Sequence, residues 1–166
     1  WNEIDADPAW LALADEIAPH VDDETVAVVL LTGGLWFAAD LTRALSRRGK
    51  NPRFDALWLT SYGDGTATSG TVRVWAALQR QVVDRHVLIL DDVFDSGLSL
   101  TEATRLVREA GAAKVSTCVF ARKPWPEERG LVPDFVGWEA PPRYLVGYGL
   151  DAGGRWRGLP YVGALD

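Results

Sequence analysis

The sequence predicts one α/β domain built on a mostly parallel, twisted sheet with flanking helices. Two continuous apolar runs, Val26–Leu31 and residues 87–90, are typical of strands buried on both faces. Each run is followed by a glycine-containing turn and then by apolar residues at helical spacing. Strands that alternate with helices in this way favour a parallel sheet with right-handed crossovers.

The same periodicities predict the other elements. A first helix begins at Asp7-Pro8, a second ends at Gly49, and a third begins near Leu100 and ends at Gly111. The second helix has a clear apolar stripe, formed by Phe37, Ala38, Leu41, Ala44 and Leu45. Further strands are predicted at residues 53–62, 71–75 and 114–120.

The chain of 166 residues is large enough for one hydrophobic core, and we predict a single domain over residues 1–166. The C-terminal part is rich in proline, glycine and tryptophan and shows little helical periodicity. We therefore expect roughly residues 1–20 and 125–166 to form a small hood over one end of the sheet.

Composition and charge restrict the possible partners. The net charge is −6 and the isoelectric point is near 4.9, and no basic stripe is visible, which argues against a nucleic-acid partner. The single cysteine, Cys118, excludes an internal disulfide and a multi-cysteine zinc site and suits a reducing compartment. No apolar run reaches transmembrane length and no signal peptide precedes the predicted fold, so we expect a cytoplasmic protein without a membrane partner.

The densest polar pattern follows the second apolar run. Asp91 and Asp92 stand at the predicted end of this strand, and Asp95 follows in a short loop. The small residues of that loop are Ser96, Gly97 and Ser99. Carboxylates at this edge can hold sugar hydroxyls or Mg²⁺, and backbone N–H groups before a helix can bind a phosphate. The alternative is purely structural: a turn shaped by Asp95 and its neighbour, and a capping box formed by Ser99 with Glu102.

Four further segments place polar residues near strand ends, and each also has a purely structural interpretation. Residues 31–34 can cradle an anion, or they can be an ordinary glycine-rich turn. Residues 60–70 can close over a site as a lid, or they can form a mobile hairpin tip. Lys123 can donate to a carbonyl oxygen of a ligand, or it can be a solvated side chain.

The fourth segment, residues 141–151, mixes aromatic residues and glycines with one carboxylate. Tyr144 can stack on a flat base, Asp151 can bind Mg²⁺, and the nearby Arg155 or Arg157 can contact phosphate oxygens. The structural alternative is a core strand with aromatic packing.

These segments, taken in order, resemble the hypoxanthine (hypoxanthine-guanine) phosphoribosyltransferases of the type I phosphoribosyltransferase family. The resemblance runs from about Val26 to the C-terminus. It rests on Leu-Thr-Gly-Gly, Ser-Tyr-Gly, the Asp-Asp motif, Lys-Pro, Val-Gly-Tyr-Gly-Leu-Asp and Leu-Pro-Tyr-Val-Gly. It implies that family's fold. It also implies transfer of a phosphoribosyl group from phosphoribosyl pyrophosphate (PRPP) to N9 of a 6-oxopurine, hypoxanthine and/or guanine, with release of pyrophosphate.

The resemblance also implies individual roles. Asp95 is the general base or acid at purine N7. Asp91 and Asp92 hold the ribose hydroxyls, partly through Mg²⁺, and Asp151 binds a second Mg²⁺. The other implied contacts are Ser96, Gly97 and Ser99, with Asp95, around the ribose 5-phosphate; Leu31, Thr32, Gly33 and Arg157 at the pyrophosphate; Lys123, Tyr144 and Leu145 at the purine; and Ser61 and Tyr62 in a lid. A cis peptide bond is implied between Leu31 and Thr32.

The sequence departs from the family pattern at two positions and leaves alternatives open. Thr32 stands where many relatives have lysine, and Tyr144 stands where phenylalanine is common. A xanthine-preferring phosphoribosyltransferase is the alternative among enzymes, and a non-catalytic PRPP-sensing regulator is the alternative from another class. Tryptophan-rich surfaces and the habit of the family suggest a homodimer or homotetramer.

Overall fold

The computed structural model describes residues 4–5, 7–62, 71–126 and 128–165. Its strands are β1 (Ile4–Asp5), β2 (Val26–Leu31), β3 (Arg53–Tyr62), β4 (Thr71–Ala76), β5 (His86–Phe94), β6 (Lys114–Arg122), β7 (Phe135–Glu139), β8 (Tyr144–Val146) and β9 (Tyr161–Leu165). The α-helices are α1 (Asp7–Ile17), α2 (Leu35–Arg47) and α3 (Leu98–Glu109), and a 3₁₀ turn (Ala18–His20) follows α1.

Six strands form the main sheet, in the spatial order β4-β3-β2-β5-β6-β7. Only β4 runs antiparallel to its neighbour, and all other adjacent strands in this sheet are parallel. The predicted fold class, a mostly parallel sheet with flanking helices, is therefore confirmed.

Helices cover both faces of this sheet because each has one apolar stripe. The stripes of α1 and α2 pack on one face together with Ala27 and Val29 of β2. The stripe of α3 packs on the opposite face with Val26 and Val28. The five residues predicted for the stripe of α2 are all buried. Alternate residues of one strand thus enter two separate cores, as expected of a strand buried on both faces.

The strand that carries the carboxylates is longer than predicted. The sequence placed this strand at residues 87–90, whereas β5 continues to Phe94. Pairing with β2 stops at Leu90, but pairing with β6 continues through Asp91 to Phe94. The contact with β6 keeps the chain extended after the pairing with β2 has stopped, so the carboxylates lie within the strand and not after it. β6 exceeds its predicted bounds for the same reason.

A second, three-stranded antiparallel sheet joins the two ends of the chain in the order β1-β9-β8. The segments predicted for the hood divide between the two sheets, and the name hood is kept below for residues 141–165 alone. β7 extends the main sheet beside β6, and α1 packs against α2 and β7. No helix within the described ranges is both long enough and apolar enough to cross a lipid bilayer.

Candidate active site

Two adjoining cavities lie at the carboxyl ends of the parallel strands. The larger, about 290 Å³, is lined by the ends of β2 and β5, by the loop into α3 and by two hood residues, Asp151 and Arg157. The smaller, about 200 Å³, contains Lys123, Tyr144 and Leu145. Both cavities are lined by Asp92, Val93, Asp95 and Asp151. The residues predicted for the phosphoribosyl group and those predicted for the purine therefore meet along a shared wall.

Two adjacent carboxylates of β5 line the larger cavity. β5 pairs with β6 at Asp91 and again at Val93 in unchanged register, and Asp92 between them has no paired partner. Leu90 and Val93, three residues apart, pack on the same face, so the normal alternation of faces is broken between them. The Asp92 backbone N–H donates to Asp91 Oδ1 at 3.0 Å, and the Val93 N–H donates to Asp92 Oδ1 at 2.9 Å. Asp91 and Asp92 therefore line one cavity although they are neighbours in one strand.

Burial and mutual repulsion make ionisation of both carboxyl groups unfavourable. Burial, then the neighbouring charge of Asp92 and a hydrogen bond between the two carboxyl groups, raises the pKa of Asp91 well above its usual range. Burial also raises the pKa of Asp92, although hydrogen bonds and the charge of Arg157 act in the opposite direction. A cation, or a ligand that donates several hydrogen bonds, would favour the ionised pair.

The loop after β5 leads into the N-terminus of α3, which lines the larger cavity and receives no side-chain cap from its N-cap residue. Gly97 occupies the N-cap position with φ 80° and ψ 0°, and α3 begins at Leu98. The predicted start near Leu100 is therefore two residues late, because the left-handed conformation of glycine lets the chain turn into the helix earlier. Ser99 lies inside the helix, so the capping-box alternative is wrong. Backbone N–H groups of a first helical turn favour an anion.

The turn between β2 and α2 is packed too closely for side chains. The peptide bond between Leu31 and Thr32 is cis, as predicted. A Cβ atom on Gly33 would lie 1.8 Å from Asp92 Oδ2, and one on Gly149 would lie 2.0 Å from the Gly33 carbonyl oxygen. The hood, this turn and the carboxylate pair are therefore in direct contact. The Thr32 side chain is exposed and does not line either cavity.

Lys123 and Asp95 approach each other from neighbouring strand ends. Lys123 directly follows β6, and its backbone N–H donates to the Phe94 carbonyl oxygen at 3.0 Å. Its Nζ lies 3.7 Å from Asp95 Oδ2, with 18% of the lysine side chain and 48% of the aspartate side chain exposed. A cationic donor and a carboxylate thus share one wall of the smaller cavity.

Tyr144 presents its ring to the smaller cavity and is not packed in the core. It is 56% exposed, and its hydroxyl donates to the Asp151 carbonyl oxygen at 3.2 Å. The core position belongs to Tyr148, whose ring centroid lies 4.9 Å from that of Phe120. The structural alternative of a packed aromatic strand is therefore wrong for Tyr144. The Leu145 side chain is buried beneath it.

The hood carries an ion pair at the larger cavity. Arg157 forms a salt bridge with Asp151 and donates to the Gly149 carbonyl oxygen. The Gly154 N–H donates to the other Asp151 carboxylate oxygen at 2.6 Å. Of the two arginines considered from the sequence, Arg157 lines the cavity and Arg155 is exposed outside its lining. The predicted lid loop, residues 63–70, and the side chains of Ser61 and Tyr62 lie outside the described residues.

The sequence reasoning missed Arg129. Its Nη1 donates to the carbonyl oxygens of Asp95, Lys123 and Phe94 at 2.8, 3.1 and 3.3 Å. The residue lies between β6 and β7, in a segment without apolar periodicity, so no pattern signalled it. A polar contact that depends on how an irregular loop folds cannot be predicted from the spacing of residues in the sequence.

Comparison with known sequences identifies the family. The family model for the phosphoribosyl transferase domain matches residues 1–152. The chain is 34% identical over 151 residues to a hypoxanthine-guanine phosphoribosyltransferase of Mycobacterium tuberculosis, covering 91% of this chain and 73% of that protein. It is 35% identical over 152 residues to the Bacillus subtilis protein of the same name, covering 92% and 83%.

Solved structures agree with this. A hypoxanthine phosphoribosyltransferase from Staphylococcus aureus superimposes with a TM-score of 0.88 at 26% identity, covering 98% of this chain and 87% of that one. A Trypanosoma cruzi hypoxanthine phosphoribosyltransferase gives 0.89 at 26% identity, covering 99% and 95%. The family model over residues 1–152 and the identity to these relatives lead to one conclusion: the chain belongs to the phosphoribosyltransferase domain family, among the hypoxanthine-guanine phosphoribosyltransferases.

Proposed function

We propose that this chain transfers a 5-phosphoribosyl group from PRPP to N9 of hypoxanthine or guanine, giving IMP or GMP and pyrophosphate. The observation that carries the proposal is the pair of cavities that share Asp95. One has carboxylates and a helix N-terminus, which suit a sugar phosphate. The other has Lys123 and Tyr144, which suit a flat ring with a carbonyl group.

In the proposed complex the larger cavity holds the phosphoribosyl group. Residues 96–99 and the N-terminus of α3 bind the 5-phosphate, and Asp91 and Asp92 accept hydrogen bonds from the ribose hydroxyls. Breaking the bond from C1′ to pyrophosphate leaves positive charge on the ribose, as in other glycosyl transfers. Carboxylates beside the ring stabilise that charge.

Asp95 and Lys123 act on the purine. As the N9–C1′ bond forms, the electron pair of the broken C1′–O bond leaves with pyrophosphate, and the purine must lose a ring proton. Asp95 takes this proton at N7, while Lys123 donates a hydrogen bond to O6. Tyr144 stacks on the ring, and the backbone of Leu145 contacts its edge. The lid role of residues 63–70, with Ser61 and Tyr62, stays a prediction from the resemblance; it would keep water from the reacting ribose.

The leaving pyrophosphate is bound by the β2–α2 turn and by Arg157. Glycine at position 33 lets the turn pack directly against Asp92 at the wall of the larger cavity, and Arg157 supplies a guanidinium fork. Thr32 carries no charge, so Arg157 and a bound cation must neutralise more of the negative charge on pyrophosphate than in relatives with lysine at this position.

Mg²⁺ fits the donor set of this site. Within the described ranges no three histidine, cysteine or carboxylate side chains converge into a complete metal cage. Mg²⁺ is commonly held by one or two carboxylates together with substrate phosphates, and Asp91, Asp92 and Asp151 offer such oxygens at the larger cavity. The cation would relieve the repulsion within the Asp91–Asp92 pair and neutralise charge on the pyrophosphate.

A panel of bases tests the proposal. The protein is incubated with PRPP and Mg²⁺ and with hypoxanthine, guanine, xanthine or adenine, and nucleotide formation is followed by chromatography. We expect IMP and GMP to form and adenine to react poorly, because its 6-amino group is itself a donor that would face the Lys123 ammonium. Efficient use of adenine would contradict the role of Lys123.

The same panel separates the alternatives. A preference for xanthine would identify a xanthine phosphoribosyltransferase, and PRPP binding without turnover would identify a regulator. The presence of Asp95 and Lys123 in one cavity supports catalysis, because a sensor of PRPP alone has no use for a base site. A homodimer or homotetramer in the cytoplasm remains our expectation, and light scattering of the purified protein measures the oligomeric state.

A further inference from the structure

Arg129 lies outside both cavities, yet it contacts the backbone that carries their two reacting side chains. Its Nη1 is within hydrogen-bond distance of the carbonyl oxygens of Asp95 (2.8 Å), Lys123 (3.1 Å) and Phe94 (3.3 Å). These three carbonyls stand at the adjacent ends of β5 and β6, where the ladder between the two strands stops. One guanidinium group therefore ties together two strand ends.

Two further contacts fix the guanidinium group itself. Its central carbon lies 4.2 Å from the centroid of the Phe94 ring, and this ring is buried. A cation over an aromatic face is attracted by the ring quadrupole, more strongly where water is excluded. The Phe94 carbonyl also accepts the Lys123 N–H at 3.0 Å, so Arg129 closes a small network around that bond.

We infer that Arg129 is a positioning residue that sets the relative placement of Asp95 and Lys123. This inference rests on the proposed function. Asp95 must reach N7 of the purine while Lys123 reaches O6, so both side chains must meet one rigid ring at once. Their backbones are held by the same guanidinium group, and their side chains lie 3.7 Å apart. An error of about 1 Å in such a pair can lower a rate by about 100-fold.

The test compares Arg129→Met with Arg129→Lys. Methionine keeps an apolar stem but removes every donor, whereas a lysine ammonium offers three donors to three carbonyls. We expect Arg129→Met to lower kcat with hypoxanthine by about 10- to 100-fold and to raise the KM for the base. The Kd for PRPP should stay close to the wild-type value, and Arg129→Lys should recover most of the turnover. Arg105→Met, which removes a surface arginine paired with Glu102 and Glu109, is the control and should leave kcat unchanged.

A double-mutant cycle separates positioning from general damage to the fold. If Arg129 acts through Asp95, Arg129→Met should lower kcat far less in an Asp95→Asn background than in the wild type. If the two substitutions lower kcat by factors that simply multiply in the double variant, the inference is wrong. It is also wrong if Arg129→Met has a normal kcat, or if its loss of activity equals the unfolded fraction measured by circular dichroism.

Failure of the proposed function would look different. If wild-type protein formed no nucleotide with any base, the proposed function would fail before any variant was made. Amide hydrogen exchange then still tests the network: Arg129→Met should speed exchange at Lys123, whose N–H is donated to Phe94, and leave β2 unchanged. Unchanged exchange at Lys123 would show that Arg129 does not order this strand end.

Discussion

Asp95 is the residue on which the proposed chemistry depends most directly. It is half-exposed at the wall shared by the two cavities, and its carboxylate faces the Lys123 ammonium. General acid–base groups contribute about 10²–10⁴-fold to a rate, so Asp95→Asn should lower kcat within that range. PRPP binding, measured by calorimetry with Mg²⁺ present, should persist because the proposed complex holds the 5-phosphate at the N-terminus of α3.

A matched carboxylate separates this effect from loss of charge alone. Asp15 is exposed and pairs with Arg48, distant in the sequence from the cavity residues. Asp15→Asn should keep the wild-type kcat. A near-normal turnover in Asp95→Asn would remove the proton-transfer role.

The Asp91–Asp92 pair lets function and stability be separated. In the folded protein, burial and the neighbouring carboxyl raise the pKa of Asp91, whereas in the unfolded chain its pKa is about 4. The folded state therefore loses stability as the pH rises above ~4, because ionisation costs more in the folded state than in the unfolded state. Asp91→Asn keeps the oxygen that accepts the Asp92 N–H and removes this cost. It should gain about 0.5–2 kcal/mol near neutral pH.

Urea unfolding at pH 4 and at pH 7.5 measures this difference. The gain should be much smaller at pH 4, where the carboxyl is protonated in the folded state and about half protonated in the unfolded chain, and the variant should be inactive at either pH. For Asp22→Asn the expected change in the free energy of unfolding has the opposite sign, so this variant should lose stability near neutral pH. Hydrogen bonds from Thr25 lower the pKa of Asp22, so its ionised form stabilises the fold above ~4. Equal pH profiles for Asp91→Asn and the wild type would contradict the raised pKa.

At the scale of elements, the contact between the hood and the β2–α2 turn depends on Gly149. Its φ is +99°, and a Cβ atom there would lie 2.0 Å from the Gly33 carbonyl oxygen. Gly153 also has a positive φ, +58°, but a Cβ atom there would meet nothing within 4 Å. Gly149→Ala should therefore cost ~2 kcal/mol or more, and Gly153→Ala about 1 kcal/mol.

Both glycines have a positive φ, so the difference in Tm between the two variants measures the steric clash at Gly149 alone. For a domain of this size ~1 kcal/mol corresponds to about 2–4 °C in Tm. Gly149→Ala should also weaken pyrophosphate binding, since the turn that it displaces carries Gly33. Equal melting temperatures for the two variants would mean that the hood does not rest on the turn.

Regular elements could be predicted from the sequence because their signals are local. The stripe from Phe37 to Leu45 and the apolar run of β2 each fix one element and the faces that it buries. The length of β5 could not be predicted from its own residues, because Asp91 and Asp92 remain extended only through pairing with β6. The break in the alternation of faces between Leu90 and Val93 likewise could not be predicted from the sequence.

The geometry of the candidate site could be predicted where a residue directly follows a strand, and could not be predicted where it depends on the packing of a loop. Asp95 and Lys123 each follow a strand, so their approach could be anticipated from the topology of a parallel sheet. Arg129 reaches the same strand ends from an irregular segment. The pairing of β1 with β9 joins the two ends of the chain, and no short-range pattern encodes such a contact.

At the scale of the whole molecule, a net charge of −6 opposes the binding of a polyanion such as PRPP. The larger cavity itself contains four aspartates, at positions 91, 92, 95 and 151, and Arg157 is the one Lys or Arg in its described lining. The N-terminus of α3 suffices for a single phosphate, but a pyrophosphate beside these carboxylates needs a further cation. Binding of PRPP should therefore depend on Mg²⁺ far more than binding of IMP, whose one phosphate the proposed complex places at α3.

Thermal shift assays with each ligand test this dependence on the metal. With Mg²⁺, PRPP at about 100 times its Kd should stabilise the fold by ~2.7 kcal/mol, which is about 5–10 °C in Tm. Removing Mg²⁺ with EDTA should abolish most of this shift and leave most of the shift given by IMP. Asp151→Asn should weaken the Mg²⁺ dependence of the PRPP shift, whereas the exposed Asp15→Asn should not. Equal PRPP shifts with Mg²⁺ and with EDTA would show that Arg157 and the backbone of the β2–α2 turn neutralise the pyrophosphate without a metal, and Mg²⁺ would then have no part in binding.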